Sequence, residues 1–168
     1  MAQDMVQATD LAGFRGAPFP QPVMDSAVGA IRDECGWHIA PSQEDTFTMR
    51  TGRVETILLP SLHITEVVAV NDLTSSYAPV IPPDRVDILD HGALHLEGGW
   101  PAKVSITIKH GYATCPDSLK AIIAEQSLGV AAGRIRQESL AGRSLSLEAG
   151  LDPMTDTVLS RYRLDGRI

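Results

Sequence analysis

Hydrophobic positions change their period twice along this chain. Met24, Ala27, Val28, Ile31 and Cys35 recur at i, i+3, i+4, i+7 and i+11, the single apolar stripe of an amphipathic helix. Pro22 suits the first turn, and Asp25 reads as a first-turn carboxylate favoured by the helix dipole. Gly36 and then Pro41 stop the pattern, which predicts a helix over 22–35. From 44 to 110 the residues are rich in Val, Ile and Thr, and the period drops to two. EDTFTM leads to a Thr-Gly turn, and RVETILLP and LHITEVVAV are split by Pro60-Ser61. In the second run His63, Thr65, Val67 and Ala69 alternate with Ile64, Glu66, Val68 and Val70, followed by a predicted turn at Asn71-Asp72. The prolines of 73–83 allow only loop or edge strand. RVDILD and HGALHLEGGWP predict two short strands around an Asp-His-Gly turn. KVSITIKHGY predicts a last strand with Val104, Ile106 and Ile108 on one face.

The helical period returns at Pro116. Leu119, Ile122, Ile123, Gln126, Val130 and Ala131 define a stripe within a helix over 116–136, whose Gly129, Ala132 and Gly133 admit close packing. QESLAGRSLSLEAG breaks it, with room for a short strand at 144–147. Asp152-Pro153 opens a final helix over 153–163, which runs into a mobile Arg-rich tail. Residues 1–20, with Pro18 and Pro20 near their end, read as a loosely ordered arm with some helical character from Val6 to Phe14. The fold class expected is therefore α+β: a small helical bundle with an antiparallel β insertion (44–110) between the first and second main helices. It forms one domain over 21–168 behind the arm.

Composition narrows the function classes. Hydrophobic residues are 43% of the 168 and aromatics 5%, so aliphatic side chains must build the core. The net charge of -7 is unevenly spread. Residues 1–114 hold 7 Lys/Arg against 14 Asp/Glu, and 115–168 hold 7 of each. An acidic surface argues against tight binding of nucleic-acid phosphates, while the C-terminal cations, nearly all arginine, suit protein interfaces. Two distant cysteines exclude a disulfide scaffold, and no apolar run reaches the length of a membrane span. A reducing cytoplasm is the expected place of synthesis.

Candidate chemistry centres on the stretch SITIKHGYATCPDSLKAII, 105–123. Here His110 and Cys115 flank a corner in which Gly111 permits the turn, Tyr112 packs over the joint, and Pro116 and Asp117 start a helix. Cys115 before a helix N-terminus would have a lowered pKa, which makes a Cys115–His110 nucleophile conceivable. Cys35 and His38 with His110 and Cys115 have the residue types of a Cys₂His₂ zinc site, although Cys35 already belongs to an apolar stripe. His91 and His95, four apart on one strand face, form a weaker metal pair. No phosphate loop, dinucleotide fingerprint or nucleophile elbow is present. These residues do not add up to a catalytic constellation, and no cofactor is expected.

Taken in order, DECGWHIAPS, VETILLPSLHITEVVAV, GALHLEGGWP, ITIKHGYATCPDSLKAII, ESLAGRSLSL and LSRYRL resemble the head-tail connector (adaptor) proteins of long-tailed phages. That group has the HK97-type connector fold, as in siphophages of actinobacteria. The succession covers about residues 15–164, and His95 stands where the family pattern leads one to expect arginine. The resemblance implies a structural virion protein and not an enzyme. Its members form a ring, usually of twelve, that joins the capsid portal to a stopper or tail-completion protein and extends the DNA channel. The partners implied are the portal protein, the stopper, further copies of the chain, and double-stranded DNA passing without specific binding. No membrane is involved, and the place implied is the virion neck at the portal vertex, after assembly in the bacterial cytoplasm. Arg161, Tyr162, Arg163, Leu164 and Arg167 would contact the portal or another partner. Gly142, Arg143, Ser144 and Leu145 would form an inter-subunit loop. A stopper or tail-completion protein of the same neck is the alternative, although those are more often dominated by a β-barrel. A small Cys/His enzyme or zinc protein is the more distant one.

Overall fold

A computed structural model describes residues 4–74, 77, 79–131 and 153–164. Among the described residues, helix α1 (Gln21–Cys35) precedes seven strands, and helices α2 (Asp117–Ala131) and α3 (Pro153–Leu159) follow them. The fold is α+β, with antiparallel strands inserted between the first and second helices. The chain forms two compact units. One is helical, Met1–Trp37 with Thr114–Arg163, and the other is made of sheet, His38–Ala113 with Leu164–Ile168.

In the helical unit, α1 buries Met24, Ala27, Val28, Ile31 and Cys35, the stripe read from the sequence. It starts at Gln21, whose side-chain amide donates to Asp25 Oδ1 at 2.8 Å. That start leaves Asp25 beyond the first turn, so the dipole reading of it fails. Gly36 ends the helix in the left-handed conformation, its N–H bonded to the Arg32 carbonyl. Helix α2 buries Leu119, Ile122, Ile123, Ala124 and Ser127. The expected stripe ran too far: Gln126 and Val130 are half-buried and Ala131 is exposed. Adjacent buried residues at 122–124 broaden the contact face instead of lengthening it. Residues 132–136 and the strand suggested at 144–147 lie outside the described residues.

Residues 4–20 of the arm are not loose. Met5, Val6, Leu11 and Phe19 are buried. Reverse turns carry it, with Asp10 N–H bonded to the Gln7 carbonyl at 2.9 Å and Phe14 N–H to the Leu11 carbonyl at 3.0 Å. Prolines and glycines forbid a long helix, but a chain of turns still points apolar side chains inward.

The sheet unit comprises β1 (Gln43–Arg50), β2 (Thr56–Leu58), β3 (Ile64–Asp72), β4 (Val80–Ile81), β5 (Val86–Ile88), β6 (Ala93–Leu96) and β7 (Lys103–His110). They form two antiparallel sheets, ordered β1-β7-β3-β4 and β2-β6-β5. One core joins them: Val104, Ile106 and Ile108 of β7 with Ile64, Val67 and Val70 of β3, and Ile57, Val86, Leu94, Leu96 and Trp100 from the smaller sheet side. Strand β7 alternates as expected.

Strand β3 does not alternate, because its register against β7 slips between Ile64 and Glu66 and again between Val67 and Ala69. Each irregularity flips the parity, so the core takes Ile64, Val67 and Val70, one residue in three. Asn71 and Asp72, read as a turn, instead extend β3, with Asn71 opposite both Val80 and Ser105. The turn follows them: the Asp72 carboxylate accepts the Thr74 N–H at 2.7 Å, which is how an aspartate at a strand end reverses the chain.

Candidate functional site

The tail assigned to partner contact is anchored through Arg163. Leu159 of α3 is 1% exposed. The Trp37 indole N–H donates to the Tyr162 carbonyl at 2.6 Å, and the Tyr162 hydroxyl lies 3.0 Å from Ser118 Oγ. Arg163 bridges two carboxylates, pairing with Glu34 and, at 2.9 Å, with Asp156. These partners raise its pKa further, the hydrogen bond to Asp156 most. The expectation of a mobile tail fails here because one aromatic and one arginine each find partners on the helices. Arg161 remains exposed and Leu164 is half-buried. Arg167 and the loop Gly142, Arg143, Ser144 and Leu145 lie outside the described residues.

At the corner, the chain passes from the sheet unit to the helical unit between Ala113 and Thr114. Gly111, at φ 93°, donates its N–H to the His63 carbonyl at 2.8 Å. A Cβ there would fall 2.5 Å from His38 Nε2 and 3.0 Å from the Ile39 carbonyl oxygen. Gly111 therefore makes room for an imidazole as well as turning the chain. Tyr112 donates its N–H to the Ile39 carbonyl at 2.8 Å and stacks on His63, ring centroids 4.3 Å apart. The Pro116 carbonyl accepts from Leu119 and Lys120 N–H, and Asp117 pairs with Lys120 at 2.9 Å.

The thiol readings change. Cys35 and Cys115 are free, buried and both in the helical unit, whereas His38 and His110 belong to the sheet unit. Cys115 does not have the lowered pKa expected of a helix start, since burial pushes it up to about 12, and burial pushes Cys35 up to about 11. A pKa of about 11 leaves roughly a few hundred times less thiolate at pH 7 than the ordinary value near 8.5. Iodoacetamide at pH 7.5 is therefore expected to leave both thiols unlabelled for minutes in the folded protein and to label both at once in denaturant. Rapid labelling of either folded thiol, followed by mass spectrometry, would restore the reactive-cysteine reading. His91 and His95 do not share a strand face. His91 sits at φ 59° in the turn Asp90–Gly92, while His95 lies on β6, with Nδ1 3.2 Å from Thr56 Oγ1.

Sequence reasoning missed Asp45. Strand pairing places Asp45 opposite Ile108, so His110 is its diagonal neighbour on the same face. His110 is 2% exposed, and its Nε2 donates to Asp45 Oδ2 at 2.9 Å. This bond holds the Asp45 carboxyl below the usual carboxylate range. The His38 ring meets His110 edge-on, with centroids 4.6 Å apart. Its Nε2 donates to the Pro41 carbonyl at 2.7 Å. The signal for this trio lay in the register of β1 against β7, which composition and spacing do not disclose.

No protein-family model and no curated protein matches the chain. Among solved structures it is similar to a chain of the neck of an empty GTA particle computed with C6 symmetry. The TM-score is 0.57 and the identity 14%, over 88% of this chain and 80% of that one. At that identity the likeness is one of fold.

Proposed function

We propose that this protein is a structural component of the neck of a tailed, phage-type particle, and within the neck the adaptor ring between portal and stopper. The observation that carries the reading is the likeness of fold, over 88% of the chain, to a protein from the neck of a phage-like gene transfer agent particle. The succession of motifs from DECGWHIAPS to LSRYRL supports the same reading independently of the coordinates. The six-fold symmetry applied to that neck supports a ring of six or twelve copies here. An acidic lumen wall suits passing DNA, because cationic walls would bind phosphates.

In this reading Arg161 and Leu164 present the partner surface, and Arg163 holds the segment in shape through Glu34 and Asp156. Arg167 and the loop 142–145 complete the portal-facing and inter-subunit contacts. The helical unit favours an adaptor over a β-barrel stopper.

The test is the mass of the full chain mixed with the portal protein of the same particle. The expected result is a complex holding a closed ring of six or twelve copies. Arg161→Glu should weaken docking by tenfold or more while leaving the fold intact. A chain that stays monomeric with portal, or an Arg161→Glu variant that docks normally, would overturn the adaptor assignment or the tail assignment respectively.

A further inference from the structure

The geometry points to a divalent-metal site, best suited to Zn²⁺, formed by His38, Asp45 and His110 in the sheet unit. Each of the three offers a donor atom within 4.8 Å of the other two. Two imidazoles and one carboxylate are a common three-ligand set for zinc, with water in the fourth position. In a tetrahedral site with bonds of about 2.0–2.1 Å, neighbouring ligand atoms are roughly 3.3 Å apart. His110 Nε2 and Asp45 Oδ2, 2.9 Å apart, are already near that separation. The widest gap in the trio closes with a side-chain movement on the order of 1 Å.

Three further observations distinguish this trio from exposed polar groups that merely lie close. His110 is 2% exposed and turns its Nε2 to Asp45, leaving Nδ1 without a hydrogen-bond partner among the described residues. His38 is oriented by its Nε2–H donation to the Pro41 carbonyl, the kind of outer bond that fixes metal-ligating imidazoles. Finally, the backbone is shaped for it. Gly111 leaves the space His38 fills, and Ile39 is held at φ 65°, in a turn closed by Ala40 N–H to the His38 carbonyl at 2.8 Å. A β-branched residue in that region is strained, which marks the turn as over-determined by its surroundings.

On binding, Zn²⁺ takes the lone pair of His110 Nε2, and the neutral ring carries its one hydrogen on Nδ1. The ion then ties the segment after α1 to β1 and to the end of β7. Cysteines take no part, which separates this site from the Cys₂His₂ set that the sequence suggested.

The test is calorimetric titration of the full, chelator-treated chain with Zn²⁺ alone. The expected result is one ion per chain and a rise in melting temperature reversed by chelator. Asp45→Asn and His38→Gln should each weaken binding at least about tenfold. Cys35→Ser with Cys115→Ser should leave it unchanged, and the Co²⁺ form should show no thiolate charge-transfer band. The more exposed Asp45 is the main variant, because His110 substitutions can fail by misfolding. No binding at 100-fold molar excess of Zn²⁺, or stoichiometric binding that survives both Asp45→Asn and His38→Gln, overturns the site. Neither result bears on docking to portal, so the neck reading stands or falls separately.

Discussion

Replacing Gly92 by alanine is expected to destabilise the sheet unit by about 3 kcal/mol or more. Two costs combine. Gly92 sits at φ 76°, where a side chain costs roughly 1–2 kcal/mol. Its added Cβ would also lie 1.7 Å from the Ser61 carbonyl oxygen and 3.1 Å from that of Leu59. Both are backbone atoms that cannot rotate away. The segment is pinned as well, since Leu59 N–H bonds the Gly92 carbonyl at 2.9 Å and Ser61 N–H the Leu59 carbonyl at 2.8 Å. Relieving the overlap means displacing β6 from β2, and overpacking of this kind costs about 1–3 kcal/mol. Gly52 is the matched control. It has φ 65° but open space around its Cβ position, so Gly52→Ala should cost only about 1 kcal/mol. With a urea m-value of about 2 kcal/mol/M, the midpoint should fall by about 1.5 M for Gly92→Ala and about 0.5 M for Gly52→Ala. Equal shifts would mean that the approach of Ser61 to Gly92 is not as close as described.

The legible parts of this fold are those decided locally. Helix α1 could be read because its five buried residues, its proline start and its glycine stop all lie within one segment. Strand β7 could be read because it is paired on both sides without interruption on its β1 side, so its pleat keeps strict alternation. What the sequence concealed depends on pairing between distant segments. The parity of β3 is set by two slips against β7, and nothing in ITEVVAV announces them. Leu11 and Phe19 of the arm are buried, which local spacing in a proline- and glycine-rich segment does not announce. The same holds for candidate chemistry. Spacing drew attention to the thiols beside His38 and His110, yet the partner of the His110 imidazole is Asp45, which lies 65 residues before it and is brought in by β1–β7 pairing. The cysteines were misread because a helix start lowers a thiol pKa only when the thiolate is not also desolvated, and at Cys115 desolvation is the larger effect.

Ending the chain at Ser160 is expected to cost the helical unit about 2 kcal/mol, whereas ending it at Leu164 should cost less than about 0.5 kcal/mol. The difference comes from residues 161–164. Truncation at 160 removes the carbonyl that accepts the Trp37 indole N–H, and Trp37 is 6% exposed. A buried donor deprived of its acceptor costs about 1–3 kcal/mol. The two Arg163 pairs add little, because Glu34 and Asp156 are 44% and 55% exposed and solvent screens them to about 0–1 kcal/mol together. Their role is geometric: they hold Arg163 to Glu34 of α1 and Asp156 of α3. Deleting the whole of 154–168 cannot separate docking from folding, because it also removes Leu159 from the core. The two shorter truncations can. By urea denaturation the Ser160 form should lose about 1 M in midpoint and the Leu164 form almost nothing. If the Ser160 form is as stable as the full chain, the Trp37–Tyr162 latch is not structural. If the Leu164 form keeps its stability and still docks to portal, the contact is made by Arg161 to Leu164 and not by Arg167. If it keeps its stability but no longer docks, the partner surface lies in the last four residues.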